Sequence, residues 1–250
     1  MNENRLLASF WTLAGDVSPL DGSAISVNSL ESRAAAAHKA GFVGLGLSID
    51  DAKYNIEKYG KRTVRSLLRN YGIQHIELEP LFDWFVDGEQ RAASDKVRET
   101  TWQLAEDLGA FQLKIGGDFS GADWPVERVT DEFATLCGQA SDVGLSVVIE
   151  LIVESSISDL PTAVKIIQGA GCDNGGLLLD IWQVARAGVS YKDIRNLPEG
   201  VIKHIEFCDA LKQQQGSWLE DTVCHRLPPG AGELDIGAFL TRFRALSIRD

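Results

Sequence analysis

The sequence predicts an α/β fold in which parallel strands alternate with helices. Short apolar runs rich in branched residues recur about once every 30 to 35 residues, and segments with a helical period of apolar residues lie between them. Most of the helical segments end in glycine, the residue that most easily adopts the left-handed conformation just after a helix. This repetition is typical of a parallel sheet covered by helices.

Seven strands are predicted, over residues 6–11, 42–49, 73–79, 111–117, 145–151, 176–181 and 201–207. The intervening helical segments include LESRAAAAHKAG, SDKVRETTWQLAEDLGA and LPTAVKIIQGAG. No change of composition and no low-complexity linker interrupts the series. Residues 1–250 are therefore predicted to form a single domain.

The composition of the chain argues against a membrane partner and against a nucleic-acid partner. The chain has 250 residues, of which 44% are hydrophobic, yet it contains no apolar run near the roughly 18 residues that a membrane span needs. The N-terminus lacks the basic flank, the long apolar run and the cleavage site of a signal peptide, so a cytoplasmic location without a membrane partner is expected. A net charge of −12 repels phosphate backbones and argues against a nucleic-acid partner.

Polar side chains occupy one face of three predicted strands, because alternate residues of a strand point to opposite faces. They are His75, Glu77 and Glu79 on the third strand, Gln112 and Lys114 on the fourth, and His204 and Glu206 on the seventh. Ionised groups are costly inside a protein unless they are paired, hydrated or bound to a metal. A polar interior of this kind predicts a site rather than a purely apolar core.

Three carboxylates end three successive predicted strands. They belong to Glu150, Asp180 and Glu206, which are one βα unit apart. In α/β barrels the carboxyl ends of the strands carry the chemistry, so we expect these side chains to lie together. Close carboxylates repel one another unless a cation neutralises them, and oxygen ligands suit Mn²⁺ or Mg²⁺. The alternative is that they accept hydrogen bonds at the barrel rim, with Lys114 and Arg186 as counter-ions.

Several motifs resemble one known group of proteins. The segments VVIEL (147–151), LLLDIW (177–182), KHIEFCDA (203–210) and PGAGELD (229–235) are similar to those of the xylose-isomerase-like TIM-barrel superfamily. That superfamily includes sugar phosphate isomerases and epimerases, and also endonuclease IV-type enzymes. The resemblance implies a (β/α)8-type TIM barrel that binds one divalent metal and a sugar-like small molecule.

The resemblance also implies roles for individual residues. Glu150 and Asp180 match metal ligands of the superfamily, and Glu206 lies on the seventh strand, where histidine or glutamine is more usual. His204 lies two residues before it. Glu150 is expected to act both as a ligand and as a base next to a carbonyl group, and Lys114 is the second candidate catalytic residue. Lys114 has the alternative of simply pairing with Glu79 or Glu150.

Other side chains near the ends of the strands are candidates for binding a substrate. They are Trp11, Glu79, Trp182, Gln183, Arg186, His204 and Arg226. The tryptophans have the alternative of packing between helices, and the arginines that of lying at the surface or in salt bridges. Together these residues predict a metal-dependent sugar isomerase or epimerase. The alternatives are a lyase or dehydratase acting through the same enolate, or a catalytically impaired barrel that binds a small molecule or a partner subunit.

The sequence departs from the superfamily at its C-terminal end. The superfamily continues into an eighth strand with a last glutamate and a closing helix, whereas this chain stops at SIRD. The barrel is therefore expected to lack the eighth strand and the last helix, with weak or absent epimerase activity of this chain alone as the consequence. Strands one and seven would then be open edges with apolar side chains such as Leu6, Phe10 and Phe207, and a homodimer is expected to cover them. The alternatives are that the two edges close a smaller barrel, or that the C-terminal segment FRALSIRD (243–250) folds into the gap as a surrogate strand.

Overall fold

The computed structural model describes residues 6–243, and strands alternate with helices along this range. The strands are β1 (Leu7–Ala8), β2 (Gly44–Ser48), β3 (His75–Leu81), β4 (Gln112–Ile115), β5 (Ser146–Glu150), β6 (Gly175–Asp180) and β7 (Ile202–Glu206). The helices are α1 (Phe10–Leu13), α2 (Leu30–Ala40), α3 (Ile49–Tyr59), α4 (Lys61–Asn70), α5 (Gly88–Leu108), α6 (Val126–Asp142), α7 (Leu160–Ala170), α8 (Ile181–Arg186), α9 (Tyr191–Arg195), α10 (Trp218–Cys224) and α11 (Ile236–Thr241). The predicted α/β succession with seven strands is confirmed for this part of the chain.

The chain forms two compact units. Among the described residues, the first comprises residues 6–81, 88–114 and 140–146, and the second comprises residues 82–87, 115–139 and 147–243. In the first unit β1 pairs with β2 and β2 with β3, and in the second β5 pairs with β6 and β6 with β7; all four pairings are parallel. That residues 1–250 form a single domain stays a prediction.

Glycines end several helices, as the sequence predicts, and side-chain caps begin them. In α2 the Ser29 side chain accepts a hydrogen bond from the backbone N–H of Ser32, and Gly41 ends the helix with φ of 84°. In α7 Asp159 caps the first turn in the same way, and Gly171 follows the last residue with φ of 62°. These contacts satisfy backbone groups that a helix end leaves unpaired.

The first predicted strand is wrong in its second half. Residues 6–11 read as one apolar strand, but β1 ends at Ala8 and Phe10 begins helix α1. The reason is a long-range contact, because a carboxylate oxygen of Glu79 on β3 accepts a 2.7 Å hydrogen bond from the backbone N–H of Phe10. That N–H belongs to the first turn of a helix and has no partner within it.

The polar face predicted for the third and fourth strands forms pairs inside the first unit. Lys114 Nζ donates a 2.6 Å hydrogen bond to Glu79, and the two side chains are only 5% and 1% exposed. The side chain of Gln112 donates to Glu77. Gly46 on β2 leaves the necessary room, because a Cβ at this position would collide with the Glu79 carboxylate and lie 2.7 Å from the backbone nitrogen of Phe10. The buried charges of Lys114 and Glu79 therefore neutralise each other, and the Glu77 carboxylate has a hydrogen-bond donor in Gln112.

The apolar residues expected at the open strand edges differ in exposure. Ala8 and Phe10 are each 1% exposed, whereas Leu6 is 43% exposed and Ile205 and Phe207 are half-buried. Of the C-terminal segment 243–250, the alternative surrogate strand, only Phe243 lies within the described residues. Association into a homodimer stays a prediction. Between residues 6 and 243, no helix has the length and apolar character needed to cross a membrane.

Candidate metal centre

Three carboxylates meet at the ends of three neighbouring strands in the second unit. Glu150, Asp180 and Glu206 are the last residues of β5, β6 and β7, and Asp180 lies directly opposite Glu206 in the strand register. One oxygen of each carboxylate lies within 4.8 Å of the others. Parallel pairing therefore brings together the three acids that the sequence placed at successive strand ends.

The local fold fixes both oxygens of Asp180. This residue is 1% exposed and is the N-cap of helix α8. Its Oδ1 accepts a 2.9 Å hydrogen bond from the backbone N–H of Trp182, and its Oδ2 accepts a 2.5 Å hydrogen bond from Nη1 of Arg226. Aspartate is among the preferred residues at a helix N-cap, so the same side chain serves the helix and the cluster.

Arg226 brings a positive charge to the acids. Besides Asp180, its guanidinium contacts the Cys208 sulfur at 3.5 Å and donates to the Oγ1 of Thr222 at 3.0 Å. Burial lowers the pKa of Arg226, but the charges of Asp180 and Glu150 raise it by more, so the net effect is an increase. Arg226 is therefore a permanent cation beside the cluster.

Cys208 adds no charge at neutral pH. Burial, together with the charge of Asp180, raises the pKa of its thiol to about 11. The thiol therefore stays protonated at neutral pH, and the ligands that the cluster offers are carboxylate oxygens.

Trp182 lies beneath two guanidinium groups. Its ring is fully buried, and the guanidinium carbons of Arg226 and Arg186 lie 4.7 Å and 5.2 Å from its centroid. The ring also contacts Trp218, with centroids 6.4 Å apart. Within residues 6–243 no group accepts a hydrogen bond from the indole N–H of Trp182. The ring therefore packs against both guanidinium groups and against Trp218. That it also contacts a substrate stays a prediction.

Arg186 joins the end of α8 to the segment after β7. Its Nε donates a 2.6 Å hydrogen bond to Asp221 of α10, and its two terminal nitrogens donate to the backbone oxygens of Lys212 and Leu211. The side chains of Arg186 and Asp221 are 6% and 1% exposed. The structure therefore favours the salt-bridged alternative for Arg186.

The remaining candidate residues are found in different settings. Gln183 is buried and accepts a hydrogen bond from the backbone N–H of Val153, in the loop after β5. His204 is half-buried, and one of its ring nitrogens lies within 4.8 Å of a Glu206 oxygen. In the first unit, Trp11 is 37% exposed on α1, and Glu79 is paired with Lys114. Their roles towards a substrate stay predictions.

Sequence reasoning missed Asp221 and the helix that carries it. The signal was present, since Ser217 and Glu220 have the S-x-x-E spacing that begins helices, and the Ser217 side chain accepts from the backbone N–H of Glu220. Cys208 was also missed as a neighbour of Arg226. Its contact depends on the position of α10, which no local pattern encodes.

The Arg186–Asp221 pair predicts a loss of stability in acid. Burial raises the pKa of Asp221, but hydrogen bonds from Arg186 and from the backbone of Gln215, with the Arg186 charge, lower it by more. A depressed folded-state pKa stabilises the fold above the unfolded pKa of about 3.9, and that stabilisation disappears as the pH falls through the folded value. The unfolding free energies of wild type and Asp221→Asn are therefore expected to differ at pH 7 and to converge below about pH 4. Denaturant titrations across this range measure it, and a constant difference would contradict it.

Comparison with known proteins places the fold in a family. The family model described as xylose isomerase-like TIM barrel matches residues 34–249. The chain belongs to this family. The resemblance drawn from the motifs is thereby confirmed, and so is the (β/α)8-type barrel, with seven strands in residues 6–243. No curated protein matches the chain by sequence.

Solved structures share the fold at low sequence identity. A xylose isomerase-like TIM barrel/4-hydroxyphenylpyruvate dioxygenase fusion protein has a TM-score of 0.81 at 20% identity over 97% of this chain, and the chain spans only 37% of that protein. IOLI protein with a bound zinc atom has a TM-score of 0.77 at 16% identity over 98% of this chain and 86% of its own. D-psicose 3-epimerase in the presence of D-fructose has a TM-score of 0.66 at 15% identity over 88% and 76%. At these identities the likeness is one of fold.

The geometry of the acids fits a hard divalent cation. Oxygen ligands about 2.0–2.6 Å from one ion lie at most about 5 Å apart across it. The three oxygens lie within 4.8 Å of one another, which meets this condition. The donor set consists of carboxylates, which suits Mn²⁺ or Mg²⁺, and a histidine nitrogen next to Glu206 also suits zinc.

Proposed function

We propose that the chain is a metal-dependent isomerase or epimerase acting on a small sugar-like or keto–polyol substrate by proton transfer next to a carbonyl. The observation that carries the proposal is the convergence of Glu150, Asp180 and Glu206 at the ends of β5, β6 and β7. Membership of the xylose isomerase-like family supports the reaction class.

The three acids would hold the cation, with Mn²⁺ or Mg²⁺ as the expected metal. A bound divalent ion polarises a carbonyl oxygen and stabilises the negative charge that develops when the neighbouring carbon loses a proton. Arg226 balances part of the cluster charge through Asp180. His204, whose ring has a nitrogen within 4.8 Å of a Glu206 oxygen, would orient a substrate hydroxyl or complete the ligand set.

Glu150 would move the proton. Glu150 and Glu206 are half-buried at the tips of β5 and β7, whereas Asp180 is buried. A base must be within reach of the substrate, and the more accessible acid meets this requirement better. Accessibility favours both glutamates over Asp180, and the family resemblance, which implies that the acid of the fifth strand is both ligand and base, selects Glu150. Asp180 is then an anchoring ligand.

Glu150→Gln tests the proposal. Incubation with a ketose in D₂O and Mn²⁺, followed by proton NMR, should show exchange at the α-carbon in the wild type, and exchange about 100-fold or more slower in the variant. Glu199→Gln, an exposed acid before β7 at the opposite end of that strand, is the matched control and should keep the wild-type rate. Equal exchange in wild type and Glu150→Gln would remove Glu150 from the mechanism.

Two other functions would use the same cluster. A lyase or dehydratase begins with the same proton transfer and then expels the neighbouring hydroxyl, so its product lacks the mass of one water. A binding or partner subunit would take up Mn²⁺ without catalysing exchange. Mass spectrometry of the product together with a Mn²⁺ titration separates these possibilities.

A further inference from the structure

Helix α8 carries a charged group at each end, and each group contacts the segment that follows β7. At the start of α8, Asp180 accepts from Arg226; at its end, Arg186 pairs with Asp221. Asp221 lies on α10, and Arg226 lies two residues beyond that helix. Two ion pairs therefore connect the same six-residue helix to the same short stretch of chain.

The pair at the end of α8 is the better anchored of the two. Arg186 and Asp221 are 6% and 1% exposed, and the Arg226 side chain is 29% exposed. Arg186 also donates to the backbone oxygens of Leu211 and Lys212, and Asp221 accepts from the backbone N–H of Gln215. This pair therefore fixes the whole stretch that leads into α10.

The position of Arg226 depends on α10. Its Nε and Nη2 fold back on Thr222, which is adjacent to Asp221 in the helix. On the other side, the backbone of Leu227 exchanges two 2.7 Å hydrogen bonds with Asp209. Because the guanidinium is bonded to Thr222 of α10, a shift of this helix would move it away from Asp180.

We propose that the Arg186–Asp221 pair is a clamp that holds Arg226 on Asp180, where Arg226 is a built-in counter-ion of the three-acid cluster. A divalent cation that binds Asp180 Oδ2 must share this oxygen with Arg226 or displace the guanidinium. Asp221 is then a positioning residue that lowers the metal affinity of the cluster through Arg226. The effect on metal affinity rests on the proposed function, whereas the clamp itself does not.

The clamp is tested in EDTA-treated protein by NMR of arginine side chains. The Nε–Hε signal of Arg226 is assigned as the one that disappears in Arg226→Gln. In Asp221→Asn this signal should shift and broaden, because the guanidinium loses its fixed position. Glu220→Gln, an exposed neighbour on α10, should leave it unchanged. Arg186→Lys, which keeps the charge but cannot make all three hydrogen bonds, provides a second route if Asp221→Asn does not fold. An unchanged Arg226 signal in a folded clamp variant overturns the proposal.

The metal arm uses Mn²⁺ alone, followed by electron paramagnetic resonance. Arg226→Gln should bind Mn²⁺ about tenfold more tightly or better, because a positive charge next to the ion is removed. Asp221→Asn should show part of this gain, and the double variant should bind no more tightly than Arg226→Gln alone. Arg195→Gln controls for the change in net charge. If the gains in Mn²⁺ affinity of the two single variants add up in the double variant, the coupling between Asp221 and Arg226 is overturned. If no variant binds Mn²⁺, the proposed function is contradicted, and the NMR experiment alone decides whether the clamp exists.

Discussion

Lys114→Met is expected to lower the free energy of unfolding by about 3–5 kcal/mol, the range for removing one partner of a buried ion pair. Lys114 and Glu79 are 5% and 1% exposed and lie 2.6 Å apart, so the variant leaves a carboxylate buried without its cation. Denaturant titration at pH 7 measures the effect. The same carboxylate accepts from the backbone N–H of Phe10, and the start of α1 should therefore loosen as well.

The matched control is Lys165→Met. Lys165 also pairs with a glutamate, Glu127, but the two side chains are 63% and 78% exposed, so its loss should cost at most about 1 kcal/mol. Combining Lys114→Met with Glu79→Gln removes both buried charges and should recover part of the stability. A stable Lys114→Met protein that has lost only its activity would favour the catalytic role over the structural one.

The strand ends could be predicted from the sequence because they follow from two general rules. Side chains alternate along a strand, and the carboxyl ends of neighbouring parallel strands meet at one edge. These two rules were sufficient to predict that Glu150, Asp180 and Glu206 lie close together, without any knowledge of where the helices pack. The polar faces of β3 and β4 followed from the same alternation, and the structure pairs Lys114 with Glu79 and Gln112 with Glu77.

The counter-ions could not be predicted in the same way. The contact of Arg226 with Asp180 spans 46 residues and depends on α10, whose position is set by the buried pair of Arg186 and Asp221. The early end of β1 likewise depends on Glu79, which is 69 residues from Phe10. Local patterns identify helices and strands, whereas such contacts are decided by the packing of segments that are distant in the sequence.

Asp180→Asn is expected to weaken Mn²⁺ binding by roughly 100-fold or more, because it removes one of three charges that face the ion and leaves Arg226 in place. Asparagine is as good an N-cap as aspartate, so its side-chain oxygen can still accept from Trp182 and helix α8 should persist. In place of Oδ2, the asparagine presents its NH₂ group to Arg226. Since both groups are hydrogen-bond donors, the contact with Arg226 should be lost. The variant should thus separate the electrostatic role of Asp180 from its structural one.

The measurement is a Mn²⁺ titration with circular dichroism as the check on folding. Asp173→Asn is the matched control, because Asp173 is an exposed acid just before the opposite end of β6, and it should bind Mn²⁺ as the wild type does. The change in Asp180→Asn is opposite in sign to the tighter binding expected for Arg226→Gln, since one variant removes a negative charge and the other a positive charge from the same 2.5 Å pair. Equal Mn²⁺ affinity in Asp180→Asn and the wild type would show that the three carboxylates are not the metal site, however close together they lie.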